Sequence, residues 1–123
     1  MTMSRPRLVK ASEEMKAWSA LLGGELASWR AVTAKPMFGL TAFYREDAIF
    51  AVLPKTRGMN SPNALGFKLR STTPRLRDRL RDDPRIAETE MQKSRWFSFA
   101  IGSEDDLQGA LQWLSEAYKA TEK

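Results

Sequence analysis

An α+β domain built on an antiparallel sheet is what this sequence predicts, and three observations carry that reading. Apolar residues recur at helical spacing over 12–28 and again over 103–120. Short runs rich in Val, Ile, Phe and Tyr lie between them, at 32–37, 40–44, 48–53, 64–69 and 96–101. The first four runs are joined by short polar breaks, which implies an antiparallel meander of four to five strands with the helices on one face. A chain of 123 residues, 42% hydrophobic and 28% charged, has the size and composition of one soluble globular domain. Residues 1–11 are expected to form a tail and 12–120 the domain.

Each element has a local cause. Ser12, followed by Glu13 and Glu14, is an N-cap with acids at the positive end of the helix dipole. Met15, Trp18, Leu22 and Trp29 then recur on one face. Gly23-Gly24 is the weak point of that helix, since each Gly costs about 1 kcal/mol against Ala, and a kink is expected there. Glu46-Asp47 marks a hairpin turn, and Pro54 ends the third strand because it has no N–H to donate. Thr73-Pro74 is a cap with Pro at the first helical position, opening a short helix over 74–82 that stops before Pro84. Leu76 and Leu80 face inward from it. Residues 86–92 are ambiguous. Ser103 is expected to cap the last helix, with Glu104, Asp105 and Asp106 in its first turn and Leu107, Ala110, Leu111, Leu114 and Tyr118 as its apolar stripe.

The composition excludes much chemistry. With no Cys and no His, there is no thiolate nucleophile, no disulfide, no thiolate or imidazole metal site and no histidine base. Glu46 and Asp47 are adjacent in a turn, so they point apart. Glu104, Asp105 and Asp106 could ligate a hard cation, but their place at a helix start already accounts for them. The four Trp sit mostly on apolar faces, as core or rim packing. No catalytic residue, metal or cofactor is therefore expected, and the chain reads as a binding domain rather than an enzyme. Residues 1–10, MTMSRPRLVK, have no apolar run behind their basic residues, and no stretch approaches the ~20 apolar residues of a membrane span. A cytoplasmic protein with no membrane partner is the expectation.

Charge is unevenly placed. Lys55, Arg57, Lys68, Arg70, Arg75, Arg77, Arg79 and Arg81 stand against the single acid Asp78, so 55–81 carries +7 in a chain whose net charge is +5. Such asymmetry attracts polyanions. Lys68, Arg70, Arg75, Arg77, Arg79 and Arg81 are the candidate basic face, for a nucleic acid or a protein partner. The same arginines also read as a solvated helix pairing with Asp78, Asp82 and Asp83. The loop over 54–63 is a second candidate: Lys55, Arg57, Asn60, Ser61 and Asn63, with Trp96, could hold a phosphate or another small anion on side chains and backbone N–H groups. It lacks the glycine spacing of a nucleotide-binding loop. An unpaired edge strand also leaves a homodimer open.

Lys35-Pro36-Met37-Phe38-Gly39-Leu40-Thr41-Ala42-Phe43-Tyr44, followed by Ile49-Phe50-Ala51, resembles the start of the TfoX N-terminal domain family. Trp96-Phe97-Ser98-Phe99, the acidic helix start and the Trp113-Leu114…Ala117-Tyr118 pattern are similar to its end. Leu40 stands where that family has a second Gly. The resemblance, shared with the MmcQ/YjbR-like fold group, implies the same α+β arrangement and a small bacterial regulatory or accessory domain. No catalytic residue is carried over with it.

Overall fold

A computed structural model describes residues 10–58, 61–87 and 95–122. The order is α1 (Glu13–Ala27), β1 (Val32–Met37), β2 (Leu40–Arg45), β3 (Ala48–Pro54), β4 (Ala64–Lys68), α2 (Pro74–Asp82), β5 (Ile86–Ala87), β6 (Trp96–Ala100), a 3₁₀ turn (Glu104–Asp106) and α3 (Leu107–Lys119). All pairings are antiparallel, in the spatial order β1-β2-β3-β4-β6-β5. Among the described residues the sheet therefore has six strands, one more than the largest number expected. The addition is β5, two residues long, which pairs Ile86 with Phe99 and Ala87 with Ser98. The rest of the ambiguous stretch, from Glu88 on, lies outside the described residues.

Alternation along the strands sorts the side chains onto two faces. Phe43, Ala51, Leu53, Leu65, Phe67, Leu69, Phe99 and Ile101 are buried against Met15, Trp18, Leu22 and Leu26 of α1 and Ala110, Trp113, Leu114 and Ala117 of α3. The opposite face is also apolar: Leu40, Ala42 and Val52 are buried there, bordered by Met37, Tyr44, Ile49 and Trp96. Between β2 and β3 the register slips, Phe43 facing Ala51 but Tyr44 facing Ile49. Phe50 is the extra residue of this bulge, so its side chain joins the helix side next to that of Ala51. There it packs on Trp29 and Tyr118, at centroid distances of 6.4 and 5.6 Å.

α1 runs unbroken through Gly23-Gly24, so the pair does not end the helix. A Cβ at Gly23 would lie 3.4 Å from Phe43 Cζ, so this part of the helix faces the sheet at ordinary contact distance. Ser12 accepts from Met15 N–H and Thr73 from Leu76 N–H, as their cap positions require. Ser103 does not cap α3: it makes no side-chain cap hydrogen bond. Asp106 instead reaches back to the chain ahead of the turn, its Oδ2 accepting from Gly102 N–H at 2.7 Å. The β1–β2 hairpin turns on Phe38 and Gly39, with φ of 50° and 84°. Two left-handed residues in sequence suit the twist of the flanking strands. β1 is one edge of the sheet and carries Lys35 and Pro36, both features that discourage further pairing.

α2 contributes no fully buried residue, and Leu76 and Leu80 only reach the margin of the core. Its position depends on the polar turn that follows. Asp83 accepts from Arg85 N–H, from the Arg85 guanidinium at both oxygens (3.0 Å each) and from Trp113 Nε1–H at 3.1 Å. Arg85 also reaches Asp106 at 3.1 Å and lies over the Phe99 ring. The Arg85 hydrogen bonds hold the Asp83 carboxyl below its ordinary 3.8, and the Gly102 N–H, then Arg85, do the same for Asp106. A carboxyl depressed in the folded state stabilises fully above its unfolded value and loses that contribution as pH falls through the folded one. Thermal stability should therefore fall below about pH 4 on account of this cluster. Asp83→Asn should lower the Tm at pH 7 and flatten the acid limb. An acid limb unchanged in that variant would remove Asp83 from the account.

Candidate arginine cleft

The arginines divide into two sets according to what accepts their protons. Arg45, Arg79 and Arg85 each stack on an aromatic ring and bind a carboxylate. Arg45 lies 4.2 Å from the Tyr118 centroid and 3.2 Å from Glu122. Arg79 lies 4.8 Å from the Trp113 centroid and 3.2 Å from Glu116. Their charge is compensated in place and they tie elements together. Arg70, Arg77 and Arg95 form the second set, and each donates to a neutral oxygen. Arg70 Nη2 donates to Ile49 O at 3.2 Å, Arg77 Nη1 to Thr72 Oγ1 at 3.1 Å and Arg95 Nη1 to Arg70 O at 2.6 Å. Arg70 Nε is buried with no acceptor among the described residues.

These three arginines line one cleft of about 750 Å³ between α2 and the ends of β4, β5 and β6. Arg81 and Asp78 complete its charged lining, and they are bound to each other at 3.1 Å. Ser71 and Thr72 add hydroxyls, and Leu69, Leu80, Ile86 and Phe97 add apolar surface. The local fold orients the cations. α2 presents Arg77 and Arg81, one turn apart, on the side next to its inward leucines. Arg95 has φ of 69°, a left-handed conformation uncommon for a long side chain. It is held there by Leu69 N–H, which donates to Arg95 O at 3.0 Å, and by its own bond to Arg70 O. Guanidiniums on neutral acceptors keep their full charge, and a cleft holding several of them favours an anion with more than one oxygen.

The predicted basic face is thus only partly one surface. Arg70, Arg77 and Arg81 come together. Arg79 turns to α3. Arg75 is exposed on α2 outside the cleft and has no partner among the described residues. Lys68 pairs in register with Trp96, and alternation puts both on the sheet face away from the helices. Arg95, which sequence reasoning passed over, belongs to the cleft. It stands alone before a strand, and nothing in its neighbourhood signals a partner 18 to 25 residues away.

The loop over 55–63 is built inward. Lys55, Thr56 and Arg57 all donate their backbone N–H to one acceptor, Gly39 O, at 3.1, 2.8 and 3.0 Å. Gly39 has to be glycine here, because its φ is 84° and a Cβ would meet Arg57 Cγ at 2.5 Å. Asn63 accepts from Ser12 Oγ–H at 2.7 Å and donates to Ile101 O at 3.2 Å, joining the start of α1 to the end of β6. Ser61 O accepts from Ala64 N–H. Trp96 lies opposite Lys68, at the far end of β4 from Ala64, where this loop re-enters the sheet. It does not join the loop residues. Lys55 and Arg57 are exposed, and Asn60 lies outside the described residues.

The two sets of arginines should respond differently to truncation. Arg79→Ala removes a ring contact and an ion pair and should lower the unfolding free energy by about 1 kcal/mol. Arg77→Ala, with no carboxylate to strand among the described residues, should stay within about 0.5 kcal/mol of the parent. Urea melts of both variants measure this, and equal losses would erase the distinction. Comparison with protein-family models, with curated proteins and with solved structures finds no match to this chain.

Proposed function

We propose that this chain is a non-catalytic binding domain of the TfoX N-terminal type, a bacterial cytoplasmic accessory or regulatory domain that docks a nucleic acid through the α2 cleft. One observation carries the reading: Arg70, Arg77 and Arg95 meet in one cleft, and none of them is bound to a carboxylate among the described residues. Arginines in structural ties keep a counter-charge, as Arg45, Arg79 and Arg85 do. Arginines that orient one another through neutral oxygens stay available for phosphate, which they can grip in pairs. The excess of +7 over 55–81 adds long-range attraction, and exposed Arg75 extends the positive surface beyond the cleft. A polyanion with regularly spaced phosphates uses this arrangement better than an acidic protein, whose carboxylates are sparser.

The alternative, a small phosphate ligand on the 55–63 loop, has less support. The backbone donors such a ligand would need at Lys55, Thr56 and Arg57 already serve Gly39 O. Asn63 is likewise committed to Ser12 and Ile101.

Fluorescence polarisation against single-stranded and duplex oligonucleotides tests the proposal. Three or four phosphate contacts predict an affinity loss of about twenty- to fifty-fold between 50 and 200 mM salt for a single strand. The double variant Arg77→Ala/Arg95→Ala should weaken binding at least tenfold and make the salt dependence shallower, with a Tm close to the parent's. Arg79→Ala should lower the Tm with little effect on affinity. No binding at 50 mM salt, or binding indifferent to the double variant, overturns the reading.

A further inference from the structure

We infer that the α2 cleft is a single-strand site in which a nucleobase stacks on Phe97 while Arg77 and Arg95 hold the adjoining phosphates. This rests on the nucleic-acid reading above and adds what the cleft selects. Phe97 is the end of an aromatic ladder that crosses the helix face of the sheet. Its ring stacks on Phe67 at 5.7 Å and 21°, and Phe67 stacks on Trp113 at 5.6 Å and 20°. The Arg79 guanidinium closes the far end over Trp113. Phe67 and Trp113 are buried, whereas Phe97 is only partly so and lines the cleft.

A ring backed by a buried stack of two further rings can accept a base with little ordering of its own, and every base has a π-face to offer. Leu80 and Ile86 supply apolar surface beside it, and the arginines with no carboxylate partner among the described residues and two hydroxyls supply polar surface. Aromatic floor and cationic rim are the two requirements of a base with its phosphates. The volume, about 750 Å³, is in the range of pockets that enclose small ligands. A duplex cannot use this floor, because its bases are already paired and stacked on one another. Nor does α2 offer a full row of available arginines as a groove-reading helix would require. Arg77 and Arg81 line the seam between helix and sheet, Arg79 is held by Glu116, and Arg75 is exposed away from the cleft and unpaired among the described residues.

Three fluorescein-labelled probes separate the possibilities: a dT 12-mer, a 12-mer of the same backbone with abasic sugars, and a 12-base-pair duplex. All are titrated against the whole chain at 50 mM salt. Stacking of one base predicts that the abasic strand binds about 5- to 150-fold more weakly than the dT strand, the range such a contact is worth. Its salt dependence should match that of dT, because the phosphates are unchanged. The duplex should bind more weakly than dT despite its higher charge density. Phe97→Leu, which keeps apolar volume, should bring dT down to the abasic level and leave the abasic strand unaffected. Equal affinity for dT and abasic strands, or a duplex that binds as tightly as dT, overturns the stacking inference while leaving phosphate binding in place. Failure of all three probes to bind overturns the nucleic-acid reading itself. The wild-type comparison of dT with the abasic strand decides the matter even if Phe97→Leu does not fold.

Discussion

α2 is a nine-residue helix with no fully buried side chain, so apolar packing alone does not hold it at one angle to the sheet. Asp83, the residue at its C-terminal end, does. Its two oxygens take the Arg85 fork, the Arg85 backbone N–H and the Trp113 indole. Through Arg85 the same knot reaches Asp106 at the start of α3 and the ring of Phe99 in β6. The end of α2, the edge strand β5 and the head of α3 are thereby tied at one point. The cleft is the space left between the strand ends and α2, which this tie holds at its C-terminal end and Arg79, on Trp113 and Glu116, holds along its length.

Carboxylates also decide which arginines are structural. Each of the ring-stacked arginines meets an acid from a separate part of the chain: Arg45 with Glu122, Arg79 with Glu116, and Arg85 with Asp106 as well as its neighbour Asp83. Among the described residues that line the cleft the one acid is Asp78, and Arg81 occupies it. The remaining cations lean on a hydroxyl and two main-chain carbonyls, acceptors that orient a guanidinium without neutralising it. The strained backbone at Arg95 belongs to the same construction, since left-handed residues persist where the surroundings over-determine them. Structure and binding surface are thus drawn from the same residue type, separated by the acceptor each one finds.

The aromatic residues show a comparable division. Trp18 and Trp113 are buried, and Trp29 completes a corner with Phe50 and Tyr118. Phe97 is in contact with this buried set through Phe67 but keeps part of its surface in the cleft. A single ladder therefore links the core to the candidate site, so changes in core packing at Phe67 or Trp113 bear directly on the floor of the cleft.

Most of the fold was legible in the sequence because it is written in local patterns. Ser12 and Thr73 cap as short-range hydrogen bonding requires, Pro54 and Pro84 sit where their missing donors dictate, and the spacing from Met15 to Leu26 marks the helix face that is buried. Long-range choices were not legible. A two-residue strand such as β5 has no periodicity to detect, and the bulge that turns Phe50 inward arises only from register against β2. The excess of basic charge could be counted along the chain, but not its partition. Which arginines keep their charge free depends on acids 2 to 77 residues distant, brought near only by packing α3 and the strand ends around α2. The 55–63 loop shows the same limit: composition reads it as a set of available donors, and the β1–β2 turn, reaching in with Gly39 O, uses those donors up.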